Sequence, residues 1–223
     1  VRALVTGASS GIGRATAAAL VARGHSVLGA SRDPDRLAPA DRVPRVEYAA
    51  LDLTDPAAVE AFAGRLADVD VLVNAAGESQ SGPLEGLPAE ALERLFRLDV
   101  LAPVRLTQLA LPGMRAPGHG RVVMVGSMPA SFPLAHHSSY VATEAAIRGF
   151  ADAARLELSP FSVHITTVEP GSVSTGIGQR RTTYVADGSP YADDVATMLA
   201  VLDRNEAAGT VLRMVARRHG PRR

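Results

Sequence analysis

The stretch "ALVTGASSGIGRATAAALVARG", residues 3 to 24, is the part of the chain that most limits its fold. It opens with an apolar run, turns through glycines, and continues with helical spacing until Gly24. A helix that follows a strand this closely lies back on the sheet, and the next strand, "HSVLGAS", then runs parallel to the first. Gly7, Gly11 and Gly13 allow tight turns and close backbone approach. With Ser9, Ser10 and Ile12 they form a loop that can seat a pyrophosphate at the helix N-terminus. Glycines also serve ordinary strand–helix turns, so it is the place of this loop in a first βαβ unit that points to a nucleotide.

The same alternation runs on. "RVEYAAL", "VDVLVNAAG", "GRVVMVGS" and "VHITTVEPG" read as the third to sixth strands. "TDPAAVEAFAGRLAD" reads as a helix capped by Asp55 with Pro56 in its first turn. "LPAEALERLFRLDVLAPVRLTQLALPGM" reads as one long helix bent near Pro103, "SSYVATEAAIRGFADAARLELSP" as a second, and residues 190 to 204 as helical again. β-Branched strands separated by helices predict an α/β fold: a doubly wound parallel sheet of Rossmann type, one domain over residues 1–223. Ligands then sit at the carboxyl ends of the strands. The irregular loops 128–137 and 174–189 follow strands five and six, so they are expected to cover that crevice.

Composition narrows the function classes. Basic and acidic side chains balance at 23 each, so no net field favours nucleic acid or an acidic membrane. The basic cluster "RMVARRHGPRR" reads as a solvated helix end and tail. There is no Cys, which excludes disulfides and thiolate metal sites, and no metal is expected. No apolar run reaches the ~20 residues of a membrane span. The opening "VRALVTG" already reads as a core strand, so no targeting segment is expected and the expected location is the cytoplasm. The end of the second strand bears on the dinucleotide. An acid there would hold ribose hydroxyls, whereas Ser31 and Arg32 suit a 2′-phosphate. The expected cofactor is NADP(H), with Arg32 as an ordinary surface arginine the alternative.

These motifs together resemble the short-chain dehydrogenase/reductase family over about residues 3 to 175. "TGASSGIG" matches its glycine pattern. Asp52 in "LDLTD", with Leu53 beside it, matches the acid that contacts adenine. Asn74, Ala75, Ala76 and Gly77 match the segment lying along the cofactor. Ser127 stands thirteen residues before Tyr140, as the family's catalytic pair does. "PGSVST", with Pro170, Gly171, Val173 and Thr175, matches the stretch that meets the nicotinamide amide.

Two positions depart from the pattern. The family's Tyr-x-x-x-Lys is here Tyr140-Val-Ala-Thr-Glu144, and its active-site asparagine aligns with Asp99. The resemblance implies a neutral tyrosine that gives its proton to a carbonyl oxygen while the serine donates a second hydrogen bond. It also implies a lysine that holds the nicotinamide ribose and lowers the tyrosine pKa. An anion in place of that cation, about 5 Å from the phenol, reverses a term of ~3 kcal/mol per sign at an effective dielectric of ~20. That is an upper bound if Asp99 and Glu144 lie together, since two carboxylates sharing a site rarely both ionise.

Three readings follow. The first is an atypical NADP(H)-dependent oxidoreductase using Ser127 and Tyr140, with an acid in the relay. The second is a non-redox acid–base enzyme (dehydratase, isomerase, epimerase or cyclase) using Tyr140, Glu144 and Asp99. The third is a non-catalytic nucleotide-binding protein. In an alternative geometry Glu144 faces solvent and Asp99 pairs with Arg94 or Arg97; the helix phase that turns Tyr140 inward argues for Glu144 inward as well. His136 and His137 read as surface residues before catalytic ones, and "GESQSG" at 77 to 82 as a polar lip or a plain turn. The loops' Phe132, Tyr184, Arg180 and Arg181 predict a small-molecule pocket with apolar and cationic edges. The resemblance implies a homodimer or homotetramer packed through the helices starting near Pro88 and Ser138. The segment "NEAAGTVLRMVARR" reads as two helical pieces without the expected final strand.

Overall fold

A computed structural model describes residues 1–208. The elements run β1 (Arg2–Thr6), α1 (Gly11–Ala22), β2 (Ser26–Ser31), β3 (Val46–Ala50), α2 (Pro56–Ala61), β4 (Val71–Asn74) and β5 (Gln80–Ser81). They continue α3 (Ala89–Phe96), α4 (Ala102–Arg115), β6 (Gly120–Val125), α5 (Ser138–Leu158), β7 (Val163–Val168), β8 (Thr182–Thr183) and α6 (Ala192–Ala208). Six strands form a parallel sheet in the order β3-β2-β1-β4-β6-β7. The order reverses beside β1, so β1 and β4 open the crevice at their carboxyl ends.

The sheet is buried on both faces, as its apolar strands require. One side holds Leu4, Leu28, Leu72, Val122 and Ile165 against Leu106 and Ala110 of α4 and Ile147 and Ala151 of α5. The other holds Val5, Val27 and Val73 against Ala17 and Val21 of α1. Gly13 lets α1 close on β1: a Cβ there would stand 2.4 Å from the Gly7 carbonyl oxygen.

Three local features differ from the sequence reading. The long helix is interrupted just before Pro103 by a π-helical turn at Arg97–Leu101. Pro103 lacks the N–H that would bond the Asp99 carbonyl, and the ladder widens so that Ala102 N donates to the Arg97 oxygen instead. This turn carries Asp99 into the interior. The helix after Asp55 is shorter than expected: Asp55 Oδ1 accepts from Ala57 N at 2.9 Å, but beyond Ala61 the chain tightens to a 3-10 turn over Phe62–Arg65. Finally, β5 and β8 form a small parallel ladder that no local pattern announces. It ties the turn after β4 to the loop after β7. The expectations for "NEAAGTVLRMVARR" and the basic tail fall largely or wholly outside the described residues. Among the described residues no helix is long and apolar enough to cross a membrane, and no group of side chains can hold a metal ion.

Candidate active site

A cleft of about 560 Å³ opens along the carboxyl ends of β1, β4, β6 and β7. Its floor is the glycine loop. Ser10 caps α1 without a side-chain bond, and no acid stands in the first turn. The first-turn N–H groups therefore keep their positive end for a ligand, and Gly11 and Ile12 line the cleft. Thr6 Oγ1 accepts from Ala75 N at 3.0 Å and Ala76 N at 3.1 Å, locking the segment after β4 against β1. Asn74 donates to Thr107 Oγ1 and Met124 Sδ, which braces β4 from behind.

All the expected cofactor residues except Gly13 and Asp52 line this cleft. Gly13 acts through helix–strand packing, as above. Asp52 is exposed, and its Oδ1 accepts from Thr54 N at 2.8 Å and Thr54 Oγ1 at 2.7 Å. Those bonds hold its carboxyl below the usual range, helped by nearby Arg32 and Arg94. Asp52 thus shapes the turn that presents Leu53 and Thr54, rather than facing the cavity. At the end of β2 the buried Ser31 hydroxyl has no partner, and Arg32 lies beside it on the cleft wall. An unpaired buried hydroxyl next to an exposed guanidinium fits a phosphate-bearing ribose. The N-terminal cradle, the unpaired Ser31 and the Arg32 charge together fit a nicotinamide dinucleotide phosphate.

Ser127, Tyr140, Glu144 and Asp99 converge on the opposite wall. Ser127 follows β6, Tyr140 and Glu144 lie one turn apart on α5, and Asp99 comes from the π turn. Ser127 and Glu144 both stand close enough to the Tyr140 phenol to shift its titration, and the phenol and the Ser127 backbone act in turn on the Glu144 carboxyl. Gly126 makes room for that carboxyl: a Cβ there would meet Glu144 Oε2 at 2.9 Å. Asp99 Oδ1 accepts from Glu78 N at 3.3 Å, while Oδ2 is buried without a partner. Glu144 is inside, 7% exposed, and among the described residues Asp99 pairs with no arginine. Arg94 instead grips Glu78, through Nε at 3.1 Å and Nη2 at 2.9 Å.

The electrostatics follow from burial. Glu144 is pushed up to about 7, chiefly by burial, against the two hydrogen bonds that favour its anion. Asp99 is raised well above the carboxylate range by burial and then by the Glu144 charge. Tyr140 is raised well above the usual phenol value by burial and the same charge. Burial and shared charge therefore favour the neutral forms of the phenol and of Asp99, while Glu144 titrates near 7. Such a set can donate hydrogen bonds to an oxygen and pass on one proton.

This arrangement has a stability consequence. Folding raises the Glu144 pKa from its ordinary 4.5 to about 7, so the native state takes up a proton between those values. Stability is highest below about pH 4.5 in this respect and falls as pH rises through 7. Glu144→Gln is expected to raise unfolding free energy by about 2 kcal/mol at pH 8 and hardly at all at pH 5. Urea unfolding at both pH values checks this; an equal change at both would contradict it.

The two histidines part company. His137 is buried, lines the cleft and shares a hydrogen bond with Ser81 Oγ at 3.1 Å. His136 adopts φ 59° and turns toward Pro83, Leu84, Glu85 and Tyr191, away from the main cleft. Sequence reasoning missed Thr6, Gly126 and the Ser81–His137 pair, because each acts through a contact distant in the chain.

The fold and cleft define a nucleotide-binding α/β enzyme scaffold. A family profile described as short chain dehydrogenase matches residues 2–185, and the chain is a member of the short-chain dehydrogenase/reductase family. It is 36% identical to an L-xylulose reductase of Mesocricetus auratus over 80% of this chain and 74% of that protein. A short-chain dehydrogenase from Streptomyces avermitilis is 36% identical, with a TM-score of 0.79 over 93% of this chain and 80% of the other. A short-chain dehydrogenase from Sphingobium yanoikuyae, solved in complex with NADPH, is 32% identical with a TM-score of 0.75 over 92% and 85%.

Proposed function

We propose that this protein is an NADP(H)-dependent oxidoreductase that reduces a carbonyl of a small organic substrate, through a site in which an acid pair replaces the family's cationic relay. The observation that carries this reading is the Ser127–Tyr140 hydroxyl pair, brought together on the wall of the cleft that the glycine loop also lines. Bound NADPH supplies the hydride. With a carbonyl oxygen bound between them, the Ser127 and Tyr140 hydroxyls turn to donate to that oxygen, where negative charge develops, and protonated Glu144 donates to the phenol oxygen. Tyr140 gives its proton to that oxygen, and Glu144, one turn further along the same helix, returns one to the phenol. Because Tyr140 resists ionisation, reduction is favoured over alcohol oxidation, which needs a phenolate. Stopped-flow absorbance of NADPH at stoichiometric enzyme with a ketone panel tests the reading; product without NADPH oxidation defeats it.

Cofactor choice rests on Ser31 and Arg32. Arg32→Ala is expected to weaken NADPH binding by about thirtyfold and leave NADH binding unchanged, as fluorescence titration would show. Equal losses for both would remove the 2′-phosphate role. A second reading has its own support. Asp99 and Glu144 are two neighbouring carboxyls with separated titrations, which suits non-redox acid–base chemistry such as dehydration or epimerisation. The oligomer inferred for the family fits exposed Leu101, Phe150 and Leu156 on the α4-side turn and α5. Light scattering should give a dimer or tetramer mass, and a monomer at micromolar concentration would contradict it.

A further inference from the structure

Arg181 is a buried charge on the cleft wall that the proposed chemistry does not use. It stands just before β8, and the ladder with β5 fixes its backbone: Thr182 N donates to the Ser79 oxygen at 3.2 Å and Tyr184 N to the Ser81 oxygen at 2.8 Å. The side chain is only 8% exposed. A guanidinium keeps its charge even so, and needs partners. Its Nη1 reaches Asp203 Oδ1 at 3.4 Å, a long contact to a carboxylate that is 62% exposed. Its Nε is buried and has no partner among the described residues. The neighbouring His137 does not compensate, since burial and the Arg181 charge push it down to about 4 and leave it neutral.

The edge of the guanidinium that Asp203 leaves free, Nε with Nη2, is the edge that grips a carboxylate through two parallel hydrogen bonds. His137 also places this cation on the reacting wall, because its ring lies edge-on to Tyr140 with centroids 6.1 Å apart. We propose that Arg181 recognises a carboxylate on the substrate, so that the molecule reduced is an oxo acid with its carboxylate on Arg181 and its carbonyl at Ser127 and Tyr140. The rest of the cleft favours a monoanion over a phosphate. Glu78 and, above about pH 7, Glu144 also line it and repel a dianion more strongly than a monoanion, Arg94 is engaged by Glu78, and Arg180 leans on the Thr175 carbonyl by the glycine loop.

This inference deepens the reductase reading and rests on it, yet the two can fail separately. Calorimetry on the full chain saturated with NADP⁺ would compare pyruvate, acetoacetate and levulinate with their methyl esters. The acid of fitting length should bind about thirtyfold more tightly than its ester. Arg181→Met should abolish that preference while ester binding persists, and Arg181→Lys should keep part of it. Equal binding of acids and esters at every length, or a preference that survives in Arg181→Met, would overturn the role of Arg181. The same pairs in the NADPH assay report separately on the reductase reading: no oxidation with any of them defeats that reading, and the binding preference still decides the carboxylate site.

Discussion

Tyr140→Phe should lower kcat/KM for carbonyl reduction by about a thousandfold, almost all of it in kcat, with NADPH affinity unchanged. The phenol is one of two hydroxyls that the proposed reaction places at the developing oxyanion, and Glu144 beside it can return its proton. Removing it deletes a hydrogen bond made mainly in the transition state, together with the proton that quenches the alkoxide. Ser127 remains and accounts for residual turnover. A loss of less than about tenfold would show that the proton reaches the carbonyl by another route. Steady-state kinetics at pH 6, with NADPH fluorescence titration alongside, separates the two effects. In the parent protein the rate of reduction should fall as pH rises through about 7, where Glu144 loses its proton.

Glu144→Lys is expected to speed reduction by up to about a hundredfold at pH 8 and much less at pH 6. The pH dependence comes from the titration of Glu144 itself. Above about 7 its anion holds the phenol proton in place, whereas below that value it is neutral and the field it exerts is small. A lysine at this position reverses the field above pH 7 and pairs with Asp99, whose Oδ2 is unpartnered. Exchanging Asp99 for Asn in the same protein should leave this gain in place. Loss of turnover at both pH values would instead mean that the carboxyl itself performs the chemistry, as the acid–base reading requires.

Much of this was legible in the sequence because it is local. The glycine loop, the β-branched strands and the one-turn spacing of Tyr140 and Glu144 each fix a backbone state or a helix face within a few residues. Glu144 points inward for that reason. The position of Asp99 was legible only in part: the proline was visible, but the π turn that its missing N–H induces ahead of it was not. What escaped depends on contacts between distant segments. Arg94, a candidate partner for Asp99 in the sequence, pairs instead with Glu78 on the turn after β4. His136 and His137 look alike in sequence, yet one left-handed residue sends them to different surfaces. The burial of Arg181 depends on the β5–β8 ladder, which neither two-residue strand could announce alone.

The most direct test follows deuterium from NADPH carrying it on the transferable position of the nicotinamide. In a single turnover with a ketone that the protein converts, deuterium should appear on the new carbinol carbon in step with NADPH oxidation. Product that forms without deuterium, while NADPH stays reduced, would contradict hydride transfer at the Ser127–Tyr140 site and leave the Asp99–Glu144 pair as the seat of the chemistry.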